Sequence, residues 1–260
     1  TGPGQGDPLM KTNNRKPARP VIWAGVLLLA AAEVFAAGRA GSFPPSEVNV
    51  NDLASLQRGA SLFVNYCAGC HSMEFMRYSR LAQDLELSED MVMANLVFGD
   101  KKIGDTMTNA MTKAQGEAWF GKAPPDLSVT GRSRGPDWIH AYLMSYYRQE
   151  DGTWNNTVLE NSAMPHVTWD LQGIQEPVVE RQMVNGQETE VITGFELVEA
   201  GAMNPEEYKV AMRDLTAFLT YSAEPAVLQR KNIGVWVMAF LAVFAFIAYL
   251  LKAEYWRDVH

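Results

Sequence analysis

The chain has 260 residues, of which 47% are hydrophobic, and a formal net charge of -8 at pH 7. This length and apolar content are enough for one or two domains with a buried core. The negative charge argues against a nucleic-acid partner, because proteins that bind phosphate backbones carry clustered Lys and Arg.

The first segment of the chain has the pattern of a secretory signal peptide. Four basic residues between positions 11 and 19 precede the apolar run 21–32, and a small-residue cleavage pattern follows at 34–36. The alternative is an uncleaved membrane anchor, although the run is short for a membrane span. We therefore expect residues 1–37 to comprise an upstream extension and a signal peptide that exports the region after it.

Residues 51–67 predict a helix, because apolar residues recur there at steps of three and four and Asn51 or Asp52 can cap its start. Gly59 inside this helix costs about 1 kcal/mol relative to alanine, which predicts that another backbone packs closely against it. The candidate partner is a second predicted helix that follows the cap residue Asn204 and is closed by Pro225.

Both cysteines of the chain stand at the end of the first helix, where Cys67, Cys70 and His71 form the motif Cys-x-x-Cys-His. This is the attachment pattern of c-type haem, in which the thiols form thioethers with the vinyl groups and the imidazole ligates the iron. A thioredoxin-like dithiol needs a βαβ context, and a zinc half-site needs a second ligand pair. The motif therefore predicts one covalently attached haem c.

The stretch APPDLSVTGRSRGPDW supplies candidate contacts to that haem. Pro124 and Pro125 predict a stiff, non-helical segment that can lie along a haem edge. Arg132 and Arg134 are alternative candidates to neutralise the haem propionates. The residues after them predict an aromatic helix with one side on the cofactor, containing Trp138, His140, Tyr142, Tyr146 and Tyr147.

The sixth position on the iron has two candidates in the loop-like stretch NSAMPHV. Met164 is followed by Pro165, which fixes the chain behind it, and a thioether ligand favours ferrous iron and raises the reduction potential. His166 is the rival ligand. The remaining methionines are expected to pack in walls and core.

Two further segments complete the chain. Residues 178–198 are centred on Asn185-Gly186, a two-residue turn signal that predicts an acidic β-hairpin at the surface. Residues 233–251 are uncharged and are flanked by basic and aromatic residues. At about 1.5 Å per residue this run nearly crosses a hydrocarbon core of about 30 Å, which predicts a transmembrane helix.

Taken in order, the segments RGASLFVNYCAGCHSMEFMRYSRL, APPDLS, SAMP and LLKAEYWRDVH resemble the cytochrome c1 family, in its proteobacterial form. The resemblance implies a mostly α, class-I-like cytochrome c haem domain with insertions, including the β-hairpin, and one C-terminal transmembrane helix. Some relatives carry an additional cysteine pair near the hairpin, and this chain has none. The implied haem-binding residues are Cys67 and Cys70 as thioether positions, His71 and Met164 as axial ligands, and Pro124, Pro125 and Arg134 as further contacts.

The same resemblance implies a function in electron transfer. The chain would carry electrons from the Rieske iron–sulfur protein to a soluble or membrane-tethered cytochrome c, within a dimeric bc1 complex whose quinol site lies in cytochrome b. The implied layout is a signal region 1–37, a periplasmic haem domain 38–228, and an anchor with a short cytoplasmic tail 229–260 in the bacterial inner membrane. Two rivals remain: a free-standing membrane-anchored cytochrome c that serves an oxidase, and a haem enzyme or sensor with an open iron site.

Overall fold

The computed structural model describes residues 43–184 and 187–259. The predicted signal peptide and the turn residues of the predicted hairpin lie outside the described residues. In chain order the elements are α1 (Leu53–Leu62), which continues into a π-helical turn (Phe63–Cys67), β1 (Met73–Arg77), α2 (Tyr78–Asp84), α3 (Glu89–Asn95), β2 (Thr106–Met107), α4 (Lys113–Phe120), α5 (Thr130–Ser133), α6 (Pro136–Met144), β3 (Tyr146–Arg148), β4 (Trp154–Asn156), α7 (Trp169–Gln172), β5 (Gly173–Val184), β6 (Gln187–Ala200), α8 (Pro205–Ala223), α9 (Val227–Tyr255) and a 3-10 turn (Arg257–Val259).

The centre of the fold is the crossing of α1 and α8. Both helices begin at polar caps, because Asp52 accepts a hydrogen bond from the Ser55 amide and Asn204 accepts from the amides of two glutamates in the first turn of α8. A Cβ atom added to Gly59 would lie 2.1 Å from the carbonyl oxygen of Asp214. The predicted close approach of a second backbone at Gly59 is therefore confirmed, and the partner is the predicted one.

An ion pair with a hydroxyl contact joins the same two helices. The Asp214 carboxylate, whose side chain is 3% exposed, accepts hydrogen bonds from the Ser55 hydroxyl at 2.5 Å and from Arg58 Nε at 2.6 Å. Beside it, the rings of Phe63 and Phe218 pack with their centroids 5.7 Å apart. Polar and apolar contacts thus fix the helix that leads into the Cys-x-x-Cys-His motif.

The predicted aromatic helix is shorter than its pattern suggested. α6 ends at Met144, and Tyr146 and Tyr147 belong instead to β3, which pairs antiparallel with β4. The side-chain amide of Asn156 donates to the carbonyl oxygen of Tyr142 at 2.8 Å and accepts from the Ser145 hydroxyl at 3.0 Å. The prediction of a helix through residue 147 was wrong, because the carbonyl oxygen of Tyr142 accepts a hydrogen bond from Asn156 at the end of the helix.

The predicted hairpin is confirmed as the antiparallel pair of β5 and β6, and it begins and ends a few residues beyond the predicted 178–198. Its base is anchored on β3 by an ion pair between Arg148 and Glu176, with 2.6 Å between Nη2 and Oε1. The Gln175 side-chain amide also donates to the carbonyl oxygen of Tyr146 at 2.5 Å. These contacts attach the base without a disulfide.

The C-terminal helix α9 fits the predicted membrane segment. The most apolar 18 residues within Asn232–Tyr255 have a mean hydropathy of 2.5, and the helix is long and apolar enough to cross a membrane. Within the described part of the chain, none of these 18 residues is buried. The predicted fold class, mostly α with a hairpin insertion and a C-terminal apolar helix, is confirmed.

Candidate haem-binding site

The Cys-x-x-Cys-His motif forms a single compact turn. The amides of Cys70 and His71 both donate to the carbonyl oxygen of Cys67, at 3.0 and 2.8 Å. The turn follows the π-helical end of α1, a feature that often marks functional sites. Burial, with a smaller contribution from Cys70, raises the pKa of the Cys67 thiol to about 12. Two thiols and an imidazole are thereby held within one turn of chain.

His71 is held in one tautomer. Its Nδ1 atom lies 2.7 Å from the carbonyl oxygen of Pro125. A carbonyl oxygen can only accept, so Nδ1 carries the proton and the lone pair of Nε2 is left for a metal. Burial lowers the pKa of His71, which favours the neutral imidazole that ligates metals.

A proline strap, residues 123–128, brings that carbonyl to the motif. The strap is non-helical, as predicted, and it runs beside the residues that follow His71. The Leu127 amide donates to the carbonyl oxygen of Ser72 at 2.8 Å, and the Asp126 carboxylate accepts from the Glu74 amide at 2.8 Å. The structure therefore joins the strap to the motif, while direct contacts of Pro124 and Pro125 with haem stay a prediction.

Asn109 also supports the motif, and the sequence analysis did not identify it. Its side-chain amide donates to the carbonyl oxygen of Cys70, and its backbone amide donates to the Ser72 hydroxyl at 3.0 Å. The local pattern gives no signal for this role, because an asparagine in a loop is common. Only the fold brings the loop before α4 to the motif.

Arg134 begins a stack of side chains along α6. Its guanidinium carbon lies 4.8 Å from the ring centroid of Trp138, and the Trp138 ring stacks on Tyr142 with centroids 5.0 Å apart. Positions 134, 138, 142 and 146 are each four residues apart, and this spacing is the sequence signal for the stack. Arg132 and Arg134 are both exposed, so the role of Arg134 toward a propionate stays a prediction.

Met164 is half-buried and lines an apolar cleft of about 490 Å³. Its backbone amide donates to the Ser162 hydroxyl at 3.3 Å, and its carbonyl oxygen accepts from the Tyr146 hydroxyl at 3.1 Å. Among the contacts of the described residues, none joins Met164 directly to His71, so their pairing as axial ligands stays a prediction. The lining residues are Trp119, Phe120, Thr153, Trp154, Ser162, Ala163, Met164 and Pro165.

The rival ligand His166 is packed among aromatic rings instead. Its imidazole stacks on Tyr146 with centroids 4.9 Å apart and meets Trp154 edge-on at 5.0 Å. It is 3% exposed, its Nε2 atom has no hydrogen-bond partner among the described residues, and burial lowers its pKa to about 4. Met164 lines the cleft and His166 does not, and the choice of Met164 as the ligand stays a prediction.

These residues fit a c-type haem. The motif turn offers two thiols, the strap leaves Nε2 of His71 free to ligate, and Met164 presents a thioether at an apolar cleft. A haem c bound here would be held by the two sulfurs of the motif and by the His71 imidazole, with the Met164 thioether as the predicted further ligand. The hydrogen bond from His71 to Pro125 is of the kind that orients a metal-ligating imidazole.

Comparison with known proteins identifies the family of the chain. Residues 46–259 match the model of the Cytochrome C1 family. The chain is 47% identical to cytochrome c1 of Allochromatium vinosum, over 93% of this chain and 100% of that protein. It is 40% identical to the ammonia monooxygenase gamma subunit of Nitrosomonas europaea, over 90% of this chain and 96% of that protein.

A third relative is a longer protein. Cytochrome b/c1 of Bradyrhizobium diazoefficiens is 25% identical over 92% of this chain, and the match covers 39% of that protein. The family model covers most of the chain and the Allochromatium relative covers it almost fully. The chain therefore belongs to the cytochrome c1 family, an electron-transport family in which membership implies a covalently bound haem c.

Proposed function

We propose that the chain is the haem-carrying electron relay of a ubiquinol–cytochrome c reductase, or bc1, complex. It takes one electron at a time from a Rieske iron–sulfur protein and passes it to a soluble or membrane-tethered cytochrome c. The observation that carries the proposal is the 2.7 Å contact between His71 Nδ1 and the carbonyl oxygen of Pro125, which leaves Nε2 as a metal ligand directly after two thiols.

The chain's own residues hold the cofactor in this proposal. Cys67 and Cys70 would supply the thioether sulfurs, and His71 and Met164 would ligate the iron. The strap with Pro124 and Pro125 lies beside the motif, and the exposed guanidinium of Arg134 is available to a propionate. When bound, haem c supplies a one-electron iron couple whose potential a thioether ligand raises.

This arrangement assigns no residue to acid–base or nucleophilic catalysis. Two axial ligands from the protein leave no open position for a substrate, so the chain needs only to bind the cofactor and to exchange electrons at its edge. We therefore propose that it is a subunit of an oxidoreductase complex without a catalytic substrate site of its own.

The proposed assembly is a membrane complex with cytochrome b, present as a dimer. The Bradyrhizobium relative named cytochrome b/c1 supports that partner, because the region similar to this chain lies there within one longer polypeptide. The apolar helix within residues 229–260 supports a membrane anchor. We propose a bacterial inner-membrane location, with signal region 1–37 removed or retained, haem domain 38–228 in the periplasm and a short cytoplasmic tail.

Purification of the native complex tests the assembly. Detergent extraction of membranes that carry a tagged full-length chain is expected to recover a b-type cytochrome and an iron–sulfur protein with a covalent haem band on this chain. Recovery of the chain alone would favour the free-standing carrier that serves an oxidase. Recovery with a monooxygenase would favour the role named for the Nitrosomonas relative.

The Met164→Leu variant tests the site. Leucine has a similar volume but no sulfur, so we expect loss of the thioether-to-iron absorption band, a lower reduction potential and binding of carbon monoxide to the reduced haem. Met144→Leu is the matched control, since Met144 ends α6 and packs partly buried against the core. An unchanged spectrum in Met164→Leu would exclude Met164 as the ligand.

A further inference from the structure

We propose that Ser162, Tyr142 and Tyr146 are positioning residues that clamp the backbone of Met164 and so hold its thioether at the iron. The inference deepens the proposed function and rests on it, because it takes Met164 as the axial ligand. No bond to the cofactor is assigned to the three hydroxyl groups themselves.

The three hydroxyls connect the two ends of the Met164 residue. The Met164 amide lies 3.3 Å from Ser162 Oγ, and Ser162 Oγ lies 2.8 Å from the Tyr142 hydroxyl. The Tyr142 and Tyr146 hydroxyls are 2.5 Å apart, and the Tyr146 hydroxyl lies 3.1 Å from the Met164 carbonyl oxygen. The path leaves Met164 at its nitrogen and returns at its oxygen, so it is a closed ring.

Proton counting gives this ring a single direction. The Met164 carbonyl can only accept, so Tyr146 donates its one proton there. Tyr146 has no proton left for Tyr142, so the Tyr142 hydroxyl donates to it. Because Tyr142 has then used its one proton, it must accept from the Ser162 hydroxyl. Ser162 in turn accepts from the Met164 amide. Each hydroxyl donates once and accepts once, a pattern in which neighbouring hydrogen bonds polarise and strengthen one another.

Packing fixes the two phenol rings. Tyr142 and Tyr146 are buried, at 8% and 2% exposure. The Tyr142 ring stacks on Trp138, and the Tyr146 ring stacks on His166. His166, the rival candidate ligand, therefore packs against Tyr146, whose hydroxyl is part of the hydrogen-bonded ring.

The backbone of the loop around Met164 is held mainly by side chains: Asn155 and Asn156 accept from amides in its first half, and hydroxyl groups bond Met164 itself. Residues 157–168 form no helix or strand, and Pro165 cannot donate a backbone hydrogen bond. The Met164 amide and carbonyl are bonded to the hydroxyls of Ser162 and Tyr146. Tyr146 lies on β3, and Ser162 is itself bonded to Tyr142 on α6. The hydroxyl ring thus transfers the rigidity of those elements to the residue that must stay at the iron.

The experiment uses the detergent-solubilised complex with the full-length chain and its covalent haem. Tyr146→Phe and Ser162→Ala each open the ring while retaining most of the packing. Tyr147→Phe is the matched control, because Tyr147 is also buried and aromatic but its hydroxyl lies outside the ring. Covalent haem staining and far-ultraviolet circular dichroism establish that each variant is folded and loaded.

The readouts are the thioether-to-iron absorption band, the reduction potential and the affinity of the reduced haem for carbon monoxide. An external ligand competes with Met164, so loss of one net hydrogen bond is expected to raise its apparent affinity about fivefold in Tyr146→Phe and Ser162→Ala. We also expect a weaker band and a lower potential, with all three readouts unchanged in Tyr147→Phe.

The double variant Tyr146→Phe/Ser162→Ala tests whether the ring is one unit. If either substitution opens the same ring, the double variant should differ little from each single variant, whereas additive effects would contradict a closed ring.

The outcomes separate this inference from the proposed function. A wild-type complex without the thioether band, or with a band that survives Met164→Leu, would overturn Met164 ligation and this inference with it. A wild-type complex with the band, in which Tyr146→Phe and Ser162→Ala behave like Tyr147→Phe, would overturn the positioning role alone.

Discussion

Replacement of Gly59 by alanine tests the helix crossing beneath the haem motif. The new Cβ atom would lie 2.1 Å from the carbonyl oxygen of Asp214 and 2.8 Å from Phe218 Cβ. Both obstacles belong to the middle of α8, where a carbonyl oxygen cannot rotate away as a side chain can. The two helices must therefore separate by about 1 Å to restore an ordinary carbon–oxygen contact.

The expected cost is worked from opposing contributions. Overpacking of a core costs about 1–3 kcal/mol, and a backbone obstacle puts this site at the upper end of that range. Alanine recovers about 1 kcal/mol of helix propensity. The net loss is then about 2 kcal/mol, which for a chain of this size lowers the melting temperature by about 4–8 °C.

Thermal unfolding of the full-length chain in detergent, followed by far-ultraviolet circular dichroism, measures the effect. Gly104→Ala is the control, because a Cβ atom there meets nothing within 4 Å. It should leave stability unchanged or raise it slightly through the unfolded state. Equal melting temperatures for the two variants would refute the argument that the backbones touch at Gly59.

Two further substitutions address the surroundings of the site. Asp126→Ala removes the acceptor of the Glu74 and Ser128 amides, both at 2.8 Å, and should lower the free energy of unfolding by about 1–3 kcal/mol in denaturant titrations, with a smaller loss in Asp126→Asn. Asp137→Ala should cost about 0.5–1 kcal/mol at pH 7, because hydrogen bonds from the Ser46 amide and hydroxyl lower the pKa of this half-buried carboxyl. A carboxyl with a lowered folded pKa stabilises the fold above its unfolded pKa and ceases to do so as the pH falls through the folded value. The difference from wild type should therefore shrink in acid, and a difference that stays constant from pH 7 into acid would contradict this origin.

The parts of the fold that local pattern could predict are those that depend on near neighbours in the chain. The caps at Asp52 and Asn204, the hairpin around residues 185–186 and the apolar run of α9 are each encoded within a few positions. The close approach at Gly59 involves residues far apart in the chain, and it was still predicted correctly. A glycine inside an otherwise good helix is unfavourable unless something approaches it closely, and that reasoning predicted a second backbone at Gly59. The candidate partner came from the helix pattern between Asn204 and Pro225.

The failures occur where distant residues complete the local structure. The prediction that α6 continues to Tyr147 was based on its aromatic residues. In the structure the side-chain amide of Asn156 donates to the carbonyl oxygen of Tyr142, and the chain leaves the helix and enters β3. Asn109 was missed for the same reason, since its bond to Cys70 spans 39 positions. A single sequence gives no measure of which polar side chain will reach which backbone group across such a separation.

The end of α6 at Met144 also gives the proposed site its geometry. In a continued helix, Tyr142 and Tyr146 would lie one turn apart on one face. The turn into β3 instead sets their rings at 66° to each other, with one hydroxyl at Ser162 and the other at the Met164 carbonyl. Asn156, which bonds the last turn of α6, therefore helps to position the hydroxyl ring around Met164. The end of α6, which the sequence did not predict, thus affects the residue proposed as the ligand.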